Sequence, residues 1–226
     1  ALLFDKSGNL VASSTHNYGL LTPHENWVEQ DPEDFWNAVV MASQEVLKHL
    51  SSDDTVLAVS ISSQAGTTIP VDAKMQPLCN AISWMDNRAV EQAENAQKKI
   101  GAEEVYKKTG WELFNGLPLQ HIAWLRDKKT ELFRDIRYFL FVNDFILHRL
   151  SGELFMNPSD AGITQLYNVK DGCWDKGMLE IAGIKLEQLS PIHPSGAVAG
   201  HITKKASEET GLPESTLVVN GAHDQY

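Results

Sequence analysis

Three stretches of the sequence place polar side chains directly after an apolar run. These side chains are Gln64 with Gly66, Asp86 with Arg88, and Asp224. Open α/β folds bind ligands outside the carboxyl ends of their strands. A carboxylate held there can accept a proton from a hydroxyl group within hydrogen-bond reach. The pattern would therefore suit proton abstraction from a hydroxyl at a sheet edge.

Each stretch can also be explained without a ligand, and the local sequence by itself favours that explanation. Asp224 could be the N-cap of a following helix, which is the commoner role for a lone Asp after a Gly loop. Asp86 could cap a helix while Arg88 pairs with an acid on the helix surface. Trp84 would then be a core residue, and Gln64 would belong to a simple strand-end turn.

Several catalytic motifs are absent from the sequence. Residues 196–201 are glycine-rich but lack the spacing and the Lys-Ser/Thr pair of a phosphate-binding P-loop. No GxGxxG motif and no GxSxG nucleophile elbow occurs. The eight His residues show no metal-ligand spacing. We therefore expect no metal site in these residues and no serine-hydrolase chemistry.

Composition narrows the class of protein further. The chain has 226 residues, 42% of them hydrophobic, and 30 acidic against 19 basic side chains give a net charge of -11. This charge disfavours nucleic acids and anionic membranes as partners, and no apolar run approaches the roughly 20 residues of a membrane span. Cys79 and Cys173 fit neither a disulfide framework nor a zinc motif, which favours a reducing cytoplasm.

Hydrophobic periodicity predicts the elements that position these groups. Residues 2–13 read as a hairpin with Gly8 in the turn, and Asp31-Pro32 begins an amphipathic helix over residues 32–50. Residues 56–61 have the pattern of a central strand covered on both faces. The pattern further predicts a strand at 68–71, a helix at 88–100, and mostly helix over 103–150 with a buried strand at 138–141. Residues 158–169 read as loop and short strand. The remaining predictions are helices near 176–182 and 203–210 and a strand at 216–219. Together they predict an α/β fold with a three-stranded start.

The ordered set of motifs resembles the FGGY family of carbohydrate kinases, in particular its xylulokinase-like and gluconokinase-like members. Residues 116–127 nearly match a family signature, with His121 where a Lys is usual, and residues 143–153 are similar to its "NDYLLHRLTGE" segment. The other matching stretches are residues 27–36, 60–64 with Asp72, 83–89, 159–161 and 220–225.

The resemblance implies a ribonuclease-H-like domain of the actin and hexokinase-like ATPases, with a mixed central sheet and a helical insertion. Residues 1–226 would form the N-terminal, sugar-binding domain. They would begin after the family's first strand and its phosphate-contacting turn, and end before the nucleotide-binding domain. On this interpretation the chain alone binds sugar weakly and is inactive.

The resemblance also implies a role for each site residue. Asp224 would be the general base of an ATP-dependent phosphorylation, with ATP and Mg²⁺ held mainly by other parts of the protein. The residues implied in substrate binding are Gln64, Ala65, Gly66, Trp84, Asp86, Arg88, His223 and Gln225. The multi-donor guanidinium of Arg88 would suit two adjacent hydroxyls, and Trp84 would cover the apolar face of a sugar.

The substrate remains open at this point. Glycerol kinases carry an Arg-Glu pair where this chain has Ala65-Gly66, and the small residues would leave room for a ketose, polyol or aldonate of five or more carbons. Two alternatives are a catalytically silent sugar-binding relative and a truncated structural domain. A homodimer is compatible with each interpretation.

Overall fold

The structure is a computed structural model that describes residues 1–225. Its strands are β1 (Leu2–Phe4), β2 (Leu10–Ser13), β3 (Glu29–Gln30), β4 (Ala58–Ser63), β5 (Ile69–Val71), β6 (Ala81–Ile82), β7 (Tyr138–Leu140), β8 (Tyr167–Asn168), β9 (Cys173–Trp174), β10 (Val198–His201) and β11 (Leu217–His223). Its helices are α1 (Pro32–Leu47), α2 (Val90–Ile100), α3 (Ala102–Thr109), α4 (Pro118–Lys128), α5 (Thr130–Asp135), α6 (Val142–Ser151), α7 (Pro158–Ile163), α8 (Lys176–Ala182) and α9 (Lys204–Thr210). Within residues 1–225, no helix combines the length and the apolar character that a membrane span requires.

The sheet that carries the candidate site has three strands in the order β10-β11-β4. Strand β11 runs parallel to β4 and antiparallel to β10, so the sheet is mixed, as expected. Strand β11 is longer than the predicted 216–219 because Gly221 allows close contact with the neighbouring strand. A Cβ atom at Gly221 would lie 1.6 Å from the carbonyl oxygen of Ile61. The strand therefore continues to His223, and Asp224 comes directly after it.

The prediction that residues 56–61 form a strand covered on both faces is wrong. Strand β4 begins at Ala58 and alternates between exposed and half-buried residues. Helix α6 packs against β4 and β11, whereas β11, not β4, has strands paired on both of its edges. The central position belongs to β11, and its Val218 is fully buried.

The N-terminal hairpin is confirmed, with β1 antiparallel to β2 and Gly8 at φ +82° in the turn. It forms a separate two-stranded sheet, so the predicted three-stranded start is not one sheet. Helix α1 starts as predicted, with the Asp31 side chain accepting the Glu33 N–H, and ends three residues early at Leu47.

Helix α7 is one of the elements that the sequence prediction missed, since residues 158–169 were expected to be loop and short strand; strand β10 is another. The Asn157 side chain accepts the Asp160 N–H at 2.8 Å, and Pro158 stands in the first helical turn. A side-chain N-cap followed by Pro is a favourable helix start. Helix α7 packs against β11, beside the end of the strand that leads to Asp224.

Candidate active site

Asp224 lies at the carboxyl ends of the parallel strands β4 and β11. Its backbone N–H donates to the Ser63 carbonyl oxygen at 3.0 Å, and the His223 N–H donates to Ser159 Oγ at 3.0 Å. The backbone is thus held by β4 on one side and by α7 on the other. The Asp224 side chain is 48% exposed, and its Oδ1 lies 3.2 Å from His223 Nε2. It is a fixed but accessible carboxylate.

The loop after β4 brings Gln64 to the same sheet edge. Gln64 Nε2 donates to Gln30 Oε1 at 2.8 Å and to Thr67 Oγ1 at 2.9 Å. Ala65 is buried, and Gly66 adopts φ +76°, where a Cβ atom would lie 3.1 Å from Trp84 Cβ. Trp84 thus packs close to Gly66, and the expectation that these small residues leave room for substrate stays a prediction.

Trp84 is 46% exposed, so the local prediction of a core residue is wrong. Close to it lies an aromatic side chain that the sequence analysis missed, Phe114, which is 45% exposed. A Cβ atom at Gly116 would lie 2.6 Å from Phe114 Cε1 and 2.9 Å from the Trp84 carbonyl oxygen. Gly116 thus leaves space for the Phe114 ring on one side and the Trp84 backbone on the other, and no local sequence pattern signals this arrangement.

Asp86, Arg88 and Glu29 form a buried ion cluster, which we call the Arg88 cluster. Arg88 Nε donates to Asp86 Oδ1 at 2.9 Å, and its Nη2 donates to Asp86 Oδ2 at 2.7 Å and to Glu29 Oε1 at 2.8 Å. The guanidinium carbon also lies 3.7 Å from the centre of the Trp27 ring. The side chain of Arg88 is 3% exposed and that of Asp86 is 0% exposed.

This arrangement overturns the local alternatives for Asp86 and Arg88. Arg88 does not pair with an acid on the helix surface, since both of its carboxylate partners are largely buried with it. Asp86 does not cap α2, whose N-cap residue is Ala89; its carboxylate accepts the Val28 N–H at 2.6 Å instead. The Arg88 cluster underlies the segment that bears Trp84.

The remaining predicted site residues, His223 and Gln225, flank Asp224. His223 is the last residue of β11 and is 5% exposed, whereas Gln225 is exposed in the turn that follows. Of the predicted set, the structure brings Gln64, Asp224 and Gln225 to the sheet edge as polar residues that are not fully buried.

A second carboxyl group lies beside this edge and was given no role in the sequence analysis. Asp160, on α7, is 1% exposed, and its Oδ2 accepts Asn157 Nδ2 at 2.6 Å. Its Oδ1 has no hydrogen-bond partner. Burial first, and then the charge of Asp224, raise the pKa of Asp160 to about 7, against the opposing hydrogen bond from Asn157. The Ser-Asp-Ala stretch was noted as a motif, but its burial is visible only in the fold.

The pKa values of two further buried side chains, Asp144 and His121, are also shifted. Burial raises the pKa of Asp144 on α6 to about 7, although Ser190 Oγ and the Phe141 N–H both donate to its carboxylate. Burial lowers the pKa of His121 to about 4. His121 is therefore neutral at physiological pH.

The described residues do not fit a metal centre. Among residues 1–225, no three His, Cys, Asp or Glu side chains converge closely enough to hold a metal ion. A groove of about 910 Å³ lies elsewhere, lined among others by Asp31, Trp36, Arg149 and Glu209, and shares no residue with the sheet edge. We place the chemistry at the sheet edge because the accessible carboxylate lies there, next to the loop that carries Gln64.

Comparison with known proteins finds relatives that match nearly the whole chain. Gluconokinase of Bacillus subtilis (strain 168) is 30% identical over 224 residues, which cover 99% of this chain and 44% of that protein. Xylulose kinase of Staphylococcus xylosus is 27% identical over 97% of this chain and 45% of its own length. The crystal structure of gluconate kinase from Lactobacillus acidophilus superposes with a TM-score of 0.92 at 30% identity, over 99% of this chain and 45% of that one.

The chain thus spans less than half the length of these relatives. Residues 1–226 match the family described as "FGGY family of carbohydrate kinases, N-terminal domain" over their whole length. The protein therefore belongs to the FGGY family of carbohydrate kinases.

Proposed function

We propose that the protein containing this chain transfers a phosphoryl group from ATP to a hydroxyl of a ketose, polyol or aldonate with five or more carbons. The observation that carries this proposal is Asp224, a half-exposed carboxylate fixed at the carboxyl ends of two parallel strands. Relatives named gluconokinase and xylulose kinase support a substrate of this size. The absence of an Arg-Glu pair at positions 65–66 argues against glycerol.

In this mechanism Asp224 is the general base. It accepts the proton of the substrate hydroxyl while the hydroxyl oxygen forms its bond to phosphorus and the bond to the leaving phosphate breaks. Phosphoryl transfer depends mainly on positioning and on stabilisation of charge. A general base contributes about 10²- to 10⁴-fold to the rate. The backbone hydrogen bonds to Ser63 and Ser159 would hold the base in place.

The other proposed site residues fall into two groups, one exposed to solvent and one buried. Trp84 and Gln225 are exposed, and we propose that they contact the sugar directly, with Gln64, Ala65 and Gly66 shaping the adjacent loop. The side chains of Asp86 and Arg88 are buried and bonded to each other, and His223 is also buried. We propose that these three support the sugar site from behind.

ATP and Mg²⁺ would be bound mainly outside these 226 residues. We also propose that the mixed sheet belongs to a ribonuclease-H-like domain, in which helices α2 to α5 are the insertion. A cytoplasmic location and a homodimer stay predictions.

The experiment is a turnover measurement on the full-length protein. ADP release from Mg-ATP is followed against a panel of ketoses, polyols and aldonates, for the wild type and for Asp224→Asn. We expect turnover on one sugar and a loss of about 10²- to 10⁴-fold in the variant, with sugar affinity retained in calorimetry. Asp171→Asn, an exposed acid in a loop, is the matched control and should keep full activity.

The alternatives predict other results. Sugar binding without turnover on any panel member would identify a catalytically silent binding protein. A folded protein that binds no sugar would favour a structural role.

A further inference from the structure

Asp160 lies next to the base because helix α7 packs against the end of β11. The connection is direct, since Ser159 Oγ accepts the N–H of His223, the residue before Asp224, at 3.0 Å. Ser159 Oγ in turn donates to Asn157 Oδ1 at 2.6 Å. Asn157, Ser159 and Asp160 form a unit, which we call the Asp160 cluster, that joins the helix to the backbone of the base.

The Asp160 carboxyl group has few partners for a buried acid. Its one side-chain hydrogen bond comes from the neutral amide of Asn157, and its Oδ1 has no hydrogen-bond partner. An ionised carboxylate that is removed from water and lacks a cation is strongly disfavoured, and such groups take up a proton instead.

Acids on the neighbouring elements add to this effect. Helix α6 contributes Asp144, and the end of β11 contributes the charge of Asp224. The other titratable groups on the elements packed against α7 are His223, at the end of β11, and Tyr167, on strand β8. Two of the groups facing Asp160 are therefore acids.

We propose that Asp160 is a positioning residue that keeps the negative charge of the site on Asp224. This inference rests on the proposed function. Of these two carboxyls, the buried one holds the proton and the other stays accessible to solvent and substrate. Asp224 is then ready to accept the hydroxyl proton, and neutral Asp160 adds no repulsion toward the anionic phosphoryl donor. Environments that separate two carboxyls in this way commonly assign their acid and base roles.

The consequence is a specific pH profile. The pKa of about 7 places the ionisation of Asp160 within the working range. Above it, a second negative charge forms behind Asp224 and opposes the approach of the phosphoryl donor. Like charges on the order of 10 Å apart at an effective dielectric constant of ~20 change a rate by about tenfold. Turnover should therefore decline as the pH rises through neutrality.

The test compares kcat and KM of the full-length wild type and Asp160→Asn from pH 6 to pH 9. Asn keeps the size and the acceptor for Asn157 but cannot ionise. We expect kcat of the wild type to fall about tenfold toward pH 9 and that of the variant to stay level. Asp144→Asn removes a buried acid that interacts with Asp160, and it should keep the decline with its midpoint at a lower pH. Identical profiles for wild type and Asp160→Asn would overturn the proposal.

A second measurement separates this inference from the proposed function. Infrared difference spectra of wild type minus Asp160→Asn at pH 6 should show a protonated carboxylic acid band that disappears by pH 9. If no sugar is phosphorylated but the band is present, the kinase proposal fails and the assignment of the proton to Asp160 stands. If turnover occurs and the band is absent, the inference about Asp160 is wrong.

Discussion

Asp86 and Asp160 are both buried carboxyl groups near the candidate site, and their surroundings differ in one respect. Asp86 shares the Arg88 cluster with a guanidinium that contacts both of its oxygens, at 2.9 and 2.7 Å. Asp160 has a neutral amide on one oxygen and no hydrogen-bond partner on the other. Burial of a charge is tolerated when it is paired and hydrogen-bonded, and is relieved by protonation when it is not.

The difference gives the two clusters different roles: the Arg88 cluster supports the backbone, whereas the Asp160 cluster can also act on the proposed chemistry. The Arg88 cluster fixes several backbone segments, because Asp86 also accepts the Val28 N–H and the guanidinium stacks on Trp27. The Asp160 cluster also fixes backbone, yet it contains a group that titrates near pH 7 beside the base. Groups with strongly shifted pKa values concentrate at functional sites.

The largest effect is expected from breaking the Arg88 cluster. Arg88→Met would leave the carboxylates of Asp86 and Glu29 without their cation, and removing one partner of a buried ion pair costs about 3–5 kcal/mol. Urea unfolding of the full-length protein measures the loss. Arg134→Met, which removes an exposed pair with Glu131, should cost less than about 1 kcal/mol. Equal losses in the two variants would show that burial does not distinguish the pairs.

An effect of comparable size and opposite sign is expected from Asp160→Asn. The folded state holds this proton up to about pH 7, whereas the unfolded chain releases it near pH 4, so wild-type stability falls as the pH rises between these values. The variant should lack this part of the decline and gain on the order of 4 kcal/mol at pH 8 relative to pH 4. Asp144 would continue to cause a decline of the same sign. Parallel stability curves for wild type and variant, from urea unfolding across this range, would contradict the prediction.

The smallest effect is expected from Ser159→Ala. The substitution removes the acceptor of the buried His223 N–H, and a hydrogen bond of this kind contributes about 1 kcal/mol. The more telling readout is hydrogen exchange, in which the His223 amide should lose protection. Ser52→Ala, at an exposed position, should change neither quantity. Full protection of His223 in Ser159→Ala would show that α7 does not hold the base.

Local patterns predicted the elements whose causes are local. The hairpin at 2–13 and the start of α1 follow from a turn Gly and from Asp31-Pro32, and both are observed. Helix α7 was missed although its capping signal, Asn157-Pro158, is present, since six residues are too few to show periodicity. The burial of β4 was overestimated because an apolar run does not tell which strand lies in the centre of the sheet.

For the same reason, only some of the site residues could be predicted from the sequence. Asp224 and Gln64 could be found because each follows an apolar strand, and β4 and β11 are parallel neighbours. Phe114 and Asp160 could not, because their placement depends on segments distant in sequence. The Trp84 backbone lies beside Gly116, and Ser159, next to Asp160, accepts the His223 N–H. Trp84 was expected in the core from its residue type and is exposed.

The sequence by itself determined the family, the order of the elements and the acid that follows the last strand, because each depends on residue types at short spacing. Only the tertiary structure decided which of these polar groups are exposed and which are paired. Burial and pairing depend on what other segments bring to each side chain, as Arg88 brings a cation to Asp86 while Asp160 receives only an amide. That environment, rather than the residue type, determines where a carboxyl group holds its charge.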